Sequence, residues 1–212
     1  MGSSLSTANT EWQIDNLPNR ITMFRVILIP VICTPLFINV LKLESFSQYT
    51  HFFNYFSAWT FVFAGITDFL DGYFARKRNI VTVFGSFLDP IADKFLVVSC
   101  LLLLQELGRI PVLIVIILVL REIYITALRL LAVERGLIIP VGKLGKWKTT
   151  FQMFAIAWLM TDDRPWGLIP FPEMGTVAIY LASGISLYSA LEYSKGLISK
   201  IKASHLAKKG NK

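Results

Sequence analysis

The chain has 212 residues, of which 54% are hydrophobic and only 17% charged. A soluble domain normally carries about 25% charged residues, so a purely soluble or a disordered protein is excluded. The net charge of +7 would suit nucleic acid, but its distribution along the chain points to the inner face of a membrane, and no nucleic-acid partner is expected. With 2 Cys and 2 His in all, a disulfide framework, a zinc site and a Cys/His nucleophile pair lack the residues they need.

Residues 1–19 are polar, without the apolar core of a signal peptide. The apolar runs then follow in order. Span one is Ile21 to Leu41, span two Phe52 to Ala75, span three Phe84 to Leu107 and span four Ile110 to Val133. The fifth run, Thr150 to Met160, is too short to cross a bilayer alone. Extended back to Val141 it is long enough, but it then takes in Lys143, Lys146 and Lys148. The sixth runs from Met174 to about Tyr193, and a basic tail, 195–212, closes the chain.

Sixteen of the 21 Lys and Arg fall in four stretches, Arg20–Arg25, Arg76–Arg78, Arg129–Lys148 and Lys195–Lys212; the opposite loops hold Lys42, Arg109 and Arg164. The excess of cations on one side predicts an all-α integral membrane protein with six transmembrane helices and both termini in the cytosol. Its transmembrane domain is expected over 20–194, between the polar segment and the tail.

Four acids interrupt the spans. Asp68 and Asp71 are i, i+3 and share one helix face, and Asp89 and Asp93, at i, i+4, do the same. An ionised carboxylate in hydrocarbon costs several kcal/mol or more, so it needs a partner or a polar cavity. The short link Lys77–Val83 makes spans two and three antiparallel neighbours, so the four carboxylates can gather. Four such groups repel one another, and either protonation or divalent cations would relieve them. Oxygen-only ligands favour Mg²⁺ or Mn²⁺ over zinc, and two such ions sharing carboxylates is the usual arrangement for displacement at phosphorus. Gly72, Ala75 and Gly85 lie close to these acids and leave a slot for a flat base or a diphosphate. Arg76 is placed to bind phosphate.

The segment reads Asp68-x2-Asp71-Gly72-x2-Ala75-Arg76-x8-Gly85-x3-Asp89-x3-Asp93. This resembles the signature of the CDP-alcohol phosphatidyltransferase family, with every fixed position matched. The resemblance implies a membrane enzyme that moves a phosphatidyl group from a CDP-linked lipid, CDP-diacylglycerol, to an alcohol and releases CMP. It implies that Asp68, Asp71 and Asp89 are the principal metal ligands. Asp93 completes the site as fourth ligand and general base. Gly72, Ala75, Arg76 and Gly85 join Asp68 and Asp71 in holding the CDP-lipid. It also implies a homodimer in a bacterial-type plasma membrane, with the active site toward the cytosol.

Within the family, the subset that uses glycerol 3-phosphate is most similar. It shows Asn-x-Pro before span one, here Asn16-Leu17-Pro18, and Thr-x-x-Arg, here Thr22 to Arg25; Asn16, Thr22 and Arg25 are accordingly expected at the CDP-lipid. Arg121-Glu122-Ile123, Ala127-Leu128-Arg129 and the run Gly145 to Gln152 also match. Arg121, Lys146, Lys148 and Thr149 are the expected acceptor-phosphate residues. Glu122 and Arg129, seven apart, are expected to pair and to leave Arg121 for the ligand. Phosphatidylglycerol (for cardiolipin synthesis), inositol phosphate, serine and choline are the competing acceptors. A cation pathway is the competing class, but such a path should cross the bilayer, whereas these acids lie toward one side.

Overall fold

The structure, a computed structural model, describes residues 17–78, 83–134 and 143–210; within these, the side chains at 17–22, 25, 68–78, 83–93, 133, 143–144, 146, 166 and 202–210 lie outside the description. The described residues form six long helices and no strand: α1 (Leu17–Val40), α2 (Thr50–Arg78), α3 (Val83–Glu106), α4 (Val112–Glu134), α5 (Lys143–Thr161) and α6 (Phe171–Gly210). Short 3₁₀ turns at Glu44–Tyr49 and Pro165–Gly167 join α1 to α2 and α5 to α6. Each expected apolar run therefore becomes one helix. The fifth starts close to the extended boundary, and the sixth continues well past Tyr193.

Prolines mark the starts of α4 and α6. The Pro111 carbonyl accepts from the Ile114 N–H at 3.0 Å, and the Pro170 carbonyl accepts from Met174 at the same distance. Proline is tolerated at such positions because a first-turn N–H has no intrahelical partner to lose. Pro30 and Pro35 inside α1 are different. Each leaves a carbonyl one turn back without its helical donor. Beside the second of these, the Ser57 hydroxyl of α2 donates to the Ile32 carbonyl at 3.0 Å.

The chain divides into two compact units, residues 1–107 with 160–162, and residues 108–159 with 163–212. In the first, α1 packs against both α2 and α3. Ile32, Leu36, Phe61, Leu96, Cys100 and Leu104 form its core, and the Asn39 amide donates to Asn54 Oδ1 at 3.0 Å to link α1 and α2. In the second, α4 packs on α6, with Leu118, Ile125, Ile156, Ile179 and Ala182 buried. Large apolar side chains also face outward in both units, among them Ile27, Phe52 and Trp59 in the first and Leu113, Leu130 and Leu191 in the second. Helices that are apolar on their outer as well as their inner faces suit a hydrocarbon surround. Among the described residues, Phe171–Ile201 is long and apolar enough to cross a membrane by length and composition.

Within the second unit α6 meets α5 at Gly175. A Cβ there would stand 2.7 Å from Leu159 Cγ and 3.2 Å from the Leu159 backbone nitrogen. Gly175→Ala gains up to about 1 kcal/mol of helix propensity, but the rigid backbone contact should outweigh it, since overpacking costs about 1–3 kcal/mol. The detergent-solubilised variant is expected to melt below the parent; an equal or higher melting temperature would show that the two helices part at no cost.

Candidate functional site

The helical backbone covers all four motif aspartates. Asp68 and Asp71 lie in α2, with Gly72, Ala75 and Arg76 following on the same helix. Asp89 and Asp93 lie in α3, one and two turns after Gly85. Only residues 79–82 separate the two helices. The i, i+3 and i, i+4 spacings therefore fall on continuous helix and keep their same-face meaning. The side chains of these eight residues lie outside the described set, as do those of Thr22, Arg25 and Lys146 and the whole of Asn16.

The cationic residues of the second unit are described in more detail. Arg121 sits at mid-length of α4, with only 9% of its side chain exposed. Its Nε donates to the Ser186 carbonyl at 3.2 Å and one terminal nitrogen to Ser189 Oγ at 3.3 Å, both on α6. The other terminal nitrogen donates to Glu122 Oε1 at 3.1 Å. Lys148, one turn into α5 and with 6% of its side chain exposed, donates its Nζ to the same Glu122 oxygen. One carboxylate thus holds two cations and ties α5 to α4, while the guanidinium ties α4 to α6. Further along, the Ser194 hydroxyl donates to the Ala190 carbonyl at 2.7 Å. Its single hydrogen is thereby used, so the Tyr124 hydroxyl, 3.0 Å away, is the donor to Ser194 Oγ.

Two expectations change. Glu122 does not turn to Arg129, which is exposed; it pairs with Arg121 and Lys148. The i, i+7 spacing puts Glu122 and Arg129 on one face but two turns apart, whereas the long arms of Arg121 and Lys148 bring their charges to the carboxylate. Arg121 is accordingly anchored at three points rather than left for a ligand alone. Thr149 lies on the exposed side of α5 and donates to the Gly145 carbonyl at 3.1 Å. The structure thus joins Arg121 and Lys148 and sets Thr149 apart from them. It also adds Ser186, Ser189 and Gln152 to the neighbourhood. Of these, only Gln152 carried a signal, as an amide one turn beyond Lys148 in an otherwise apolar run.

Taking one partner from a buried ion pair strands the other charge, at about 3–5 kcal/mol. This cluster is part-buried, so Glu122→Ala is expected to lower stability by less, about 1–3 kcal/mol, read as a fall in melting temperature in detergent. A melting temperature equal to the parent's would mean that the two cations do not depend on Glu122.

The sequence model of the CDP-alcohol phosphatidyltransferase family matches residues 15–188. The chain is similar to a Bacillus subtilis protein named CDP-diacylglycerol–glycerol-3-phosphate 3-phosphatidyltransferase, with 37% identity over 180 residues, 84% of this chain and 93% of the relative. Proteins of the same name from Haemophilus influenzae and Rickettsia felis are 39% and 34% identical. They cover 84% and 85% of this chain and 91% and 94% of their own lengths.

Proposed function

The chain belongs to the CDP-alcohol phosphatidyltransferase family, and we propose that within it this enzyme moves the phosphatidyl group of CDP-diacylglycerol to sn-glycerol 3-phosphate, giving phosphatidylglycerol phosphate and CMP. The names of relatives that match over most of both chains carry this reading. The complete aspartate motif on α2 and α3 and the buried Arg121–Glu122–Lys148 cluster support it. The protein is read as six spans over 20–194, preceded by a polar segment and followed by the basic tail, with both termini and the active site on the cytosolic side of a bacterial-type plasma membrane. It is read as a homodimer.

Between Asp68 and Asp93 the chain offers four carboxylates and neither His nor Cys. This donor set fits a hard cation that prefers oxygen. Asp68, Asp71, Asp89 and Asp93 would hold Mg²⁺ or Mn²⁺, as a pair of ions. When bound, such ions offset the charge of the diphosphate and make its phosphorus more electrophilic.

The chain's own residues do the rest. Gly72, Ala75 and Gly85 leave room for the cytidine, and Arg76, Asn16, Thr22 and Arg25 hold the CDP-lipid headgroup while the acyl chains stay in the bilayer. Arg121, Lys146 and Lys148 bind the phosphate of the acceptor, and Thr149 follows them in sequence on the exposed side of α5. Asp93 accepts the proton of the primary hydroxyl as its oxygen attacks the β-phosphorus. The bond from that phosphorus to the CMP oxygen breaks, and CMP leaves with the electron pair. Positioning and charge complementarity supply most of the acceleration. The acceptor attacks directly, without a phosphatidyl-enzyme.

Purified enzyme given CDP-diacylglycerol and a panel of acceptors should release CMP and form phosphatidylglycerol phosphate from glycerol 3-phosphate, identified by product mass. Product only from phosphatidylglycerol, inositol phosphate, serine or choline would change the acceptor. Ion flux without CMP release would replace the class. Asp93→Asn should lower kcat about 10²-fold or more, the usual contribution of a general base. Near-normal turnover would remove Asp93 from that role.

A further inference from the structure

Two buried donors in the second unit have no use among the described residues. Gln152 Nε2 and Ser186 Oγ are buried, and among the described residues neither has a hydrogen-bond partner. Gln152 is 3% exposed and Ser186 0%, so bulk water does not serve them. A buried polar atom left unpaired is costly, and its persistence in a native fold calls for something that pairs with it.

Ser186 departs from the habit of its own helix. Ser183 and Ser194 of α6 donate back to the Tyr180 and Ala190 carbonyls at 2.7 Å each, and Thr176 does the same to Pro172 at 2.8 Å. This is the usual resting bond of a hydroxyl on an apolar helix. Ser186 Oγ forgoes it, although the carbonyl of the same residue holds Arg121. Gln152 lies one turn beyond Lys148 on α5 and on the same face. Lys148 is joined through Glu122 to Arg121. Both unused donors therefore belong to the surroundings of the two buried cations. The cations share Glu122 as counter-charge, and the neutral donors can add contacts beside theirs. Amide and hydroxyl hydrogens beside fixed positive charge match a ligand rich in oxyanion acceptors.

We propose that Gln152 Nε2 and Ser186 Oγ complete the acceptor site by donating hydrogen bonds to its phosphate group. This rests on the glycerol 3-phosphate reading and deepens it by naming two further binding residues. Phosphate oxygens also occur in the diphosphate of the CDP-lipid, so the test treats the two substrates separately.

Gln152→Met and Ser186→Ala keep approximate shape and remove the donor; Gln152→Glu keeps shape and turns a donor into a repelling carboxylate. The full-length enzyme is assayed in detergent for KM toward each substrate and for melting temperature with and without glycerol 3-phosphate. In the first two variants KM for glycerol 3-phosphate should rise about tenfold or more, the effect of one hydrogen bond to a charged group. In Gln152→Glu it should rise further. KM for CDP-diacylglycerol should stay put. The ligand-free melting temperature of Gln152→Met and Ser186→Ala should hold or increase, because an unpaired buried donor is gone, and the stabilisation by glycerol 3-phosphate should shrink. A lower ligand-free melting temperature with unchanged KM would make both residues packing groups and overturn the proposal. A rise in KM for CDP-diacylglycerol instead would move the donors to the other substrate and overturn it too. If the parent enzyme makes no product from glycerol 3-phosphate, the functional reading fails by itself. The variants are then assayed with the acceptor that does react: a raised KM for a phosphate-bearing one upholds the donors' role, and an unchanged KM, or an acceptor without phosphate, overturns it.

Discussion

A charge on a helix that is apolar on most of its faces must find its counter-charge within the protein, and Glu122 is where the second unit meets that demand. Water cannot screen a side chain there, and an unmatched ion is among the most expensive objects a fold can bury. Glu122 answers by accepting from Arg121 and Lys148 at one oxygen, and Arg121 also donates to the Ser186 carbonyl and to Ser189 Oγ. The arrangement adds a polar tie between α5 and α4 to the apolar burial of Ala155, Ile156 and Leu159. The apolar part of α5 is short, and its first turns carry Lys143, Lys146 and Lys148. With Lys148 paired to α4, that weak segment is held by a bond that apolar packing alone would not provide.

The same constraint orders the chemistry along the chain. Four acids are concentrated on α2 and α3, at Asp68, Asp71, Asp89 and Asp93. Basic residues gather on α4 and α5, where Arg121 and Lys148 sit beside a single acid, Glu122. A reaction between a diphosphate lipid and a phosphorylated alcohol asks for both kinds of group: carboxylates that bring divalent ions to the diphosphate, and fixed cations for an anionic acceptor. A cation pathway would have no use for the second kind. A transferase acting on an uncharged alcohol would have little use for it either. The deep placement of Arg121 is thus better matched to the acceptor's charge than to topology, which explains only cations at helix ends.

Much of the fold was legible because hydropathy reports directly on burial in an apolar surround. Ile21–Leu41 became α1, Leu17–Val40, and Phe84–Leu107 became α3, Val83–Glu106. The clear miss was the end of α6. An apolar run read from sequence, here ending near Tyr193, reports on composition and not on where the helix ends. A helix has no reason to end there when the following residues, rich in Lys, Leu, Ile and Ala, favour helix themselves. At 40 residues α6 is about 60 Å long, roughly twice the thickness of a bilayer's hydrocarbon core. The motif aspartates were legible by spacing, and the helical backbone of α2 and α3 carries that spacing intact. The partner of Glu122 was not. Spacing arguments rank neighbours on one helix and led to Arg129, but Lys148 lies 26 residues away on another. Long-range pairs of this kind leave no periodic trace.

Unpaired donors were equally invisible, for a related reason. A sequence shows that Gln152 and Ser186 are polar and that their neighbours are not, but most buried polar groups are satisfied once the chain folds. Ser183 and Ser194 look no different from Ser186 along the sequence, and both are satisfied by their own helix. Only the folded chain separates a hydroxyl that has found its carbonyl from one that has not. That distinction has functional content here. A buried donor left idle beside fixed cations is best understood as one half of a contact whose other half arrives with the substrate.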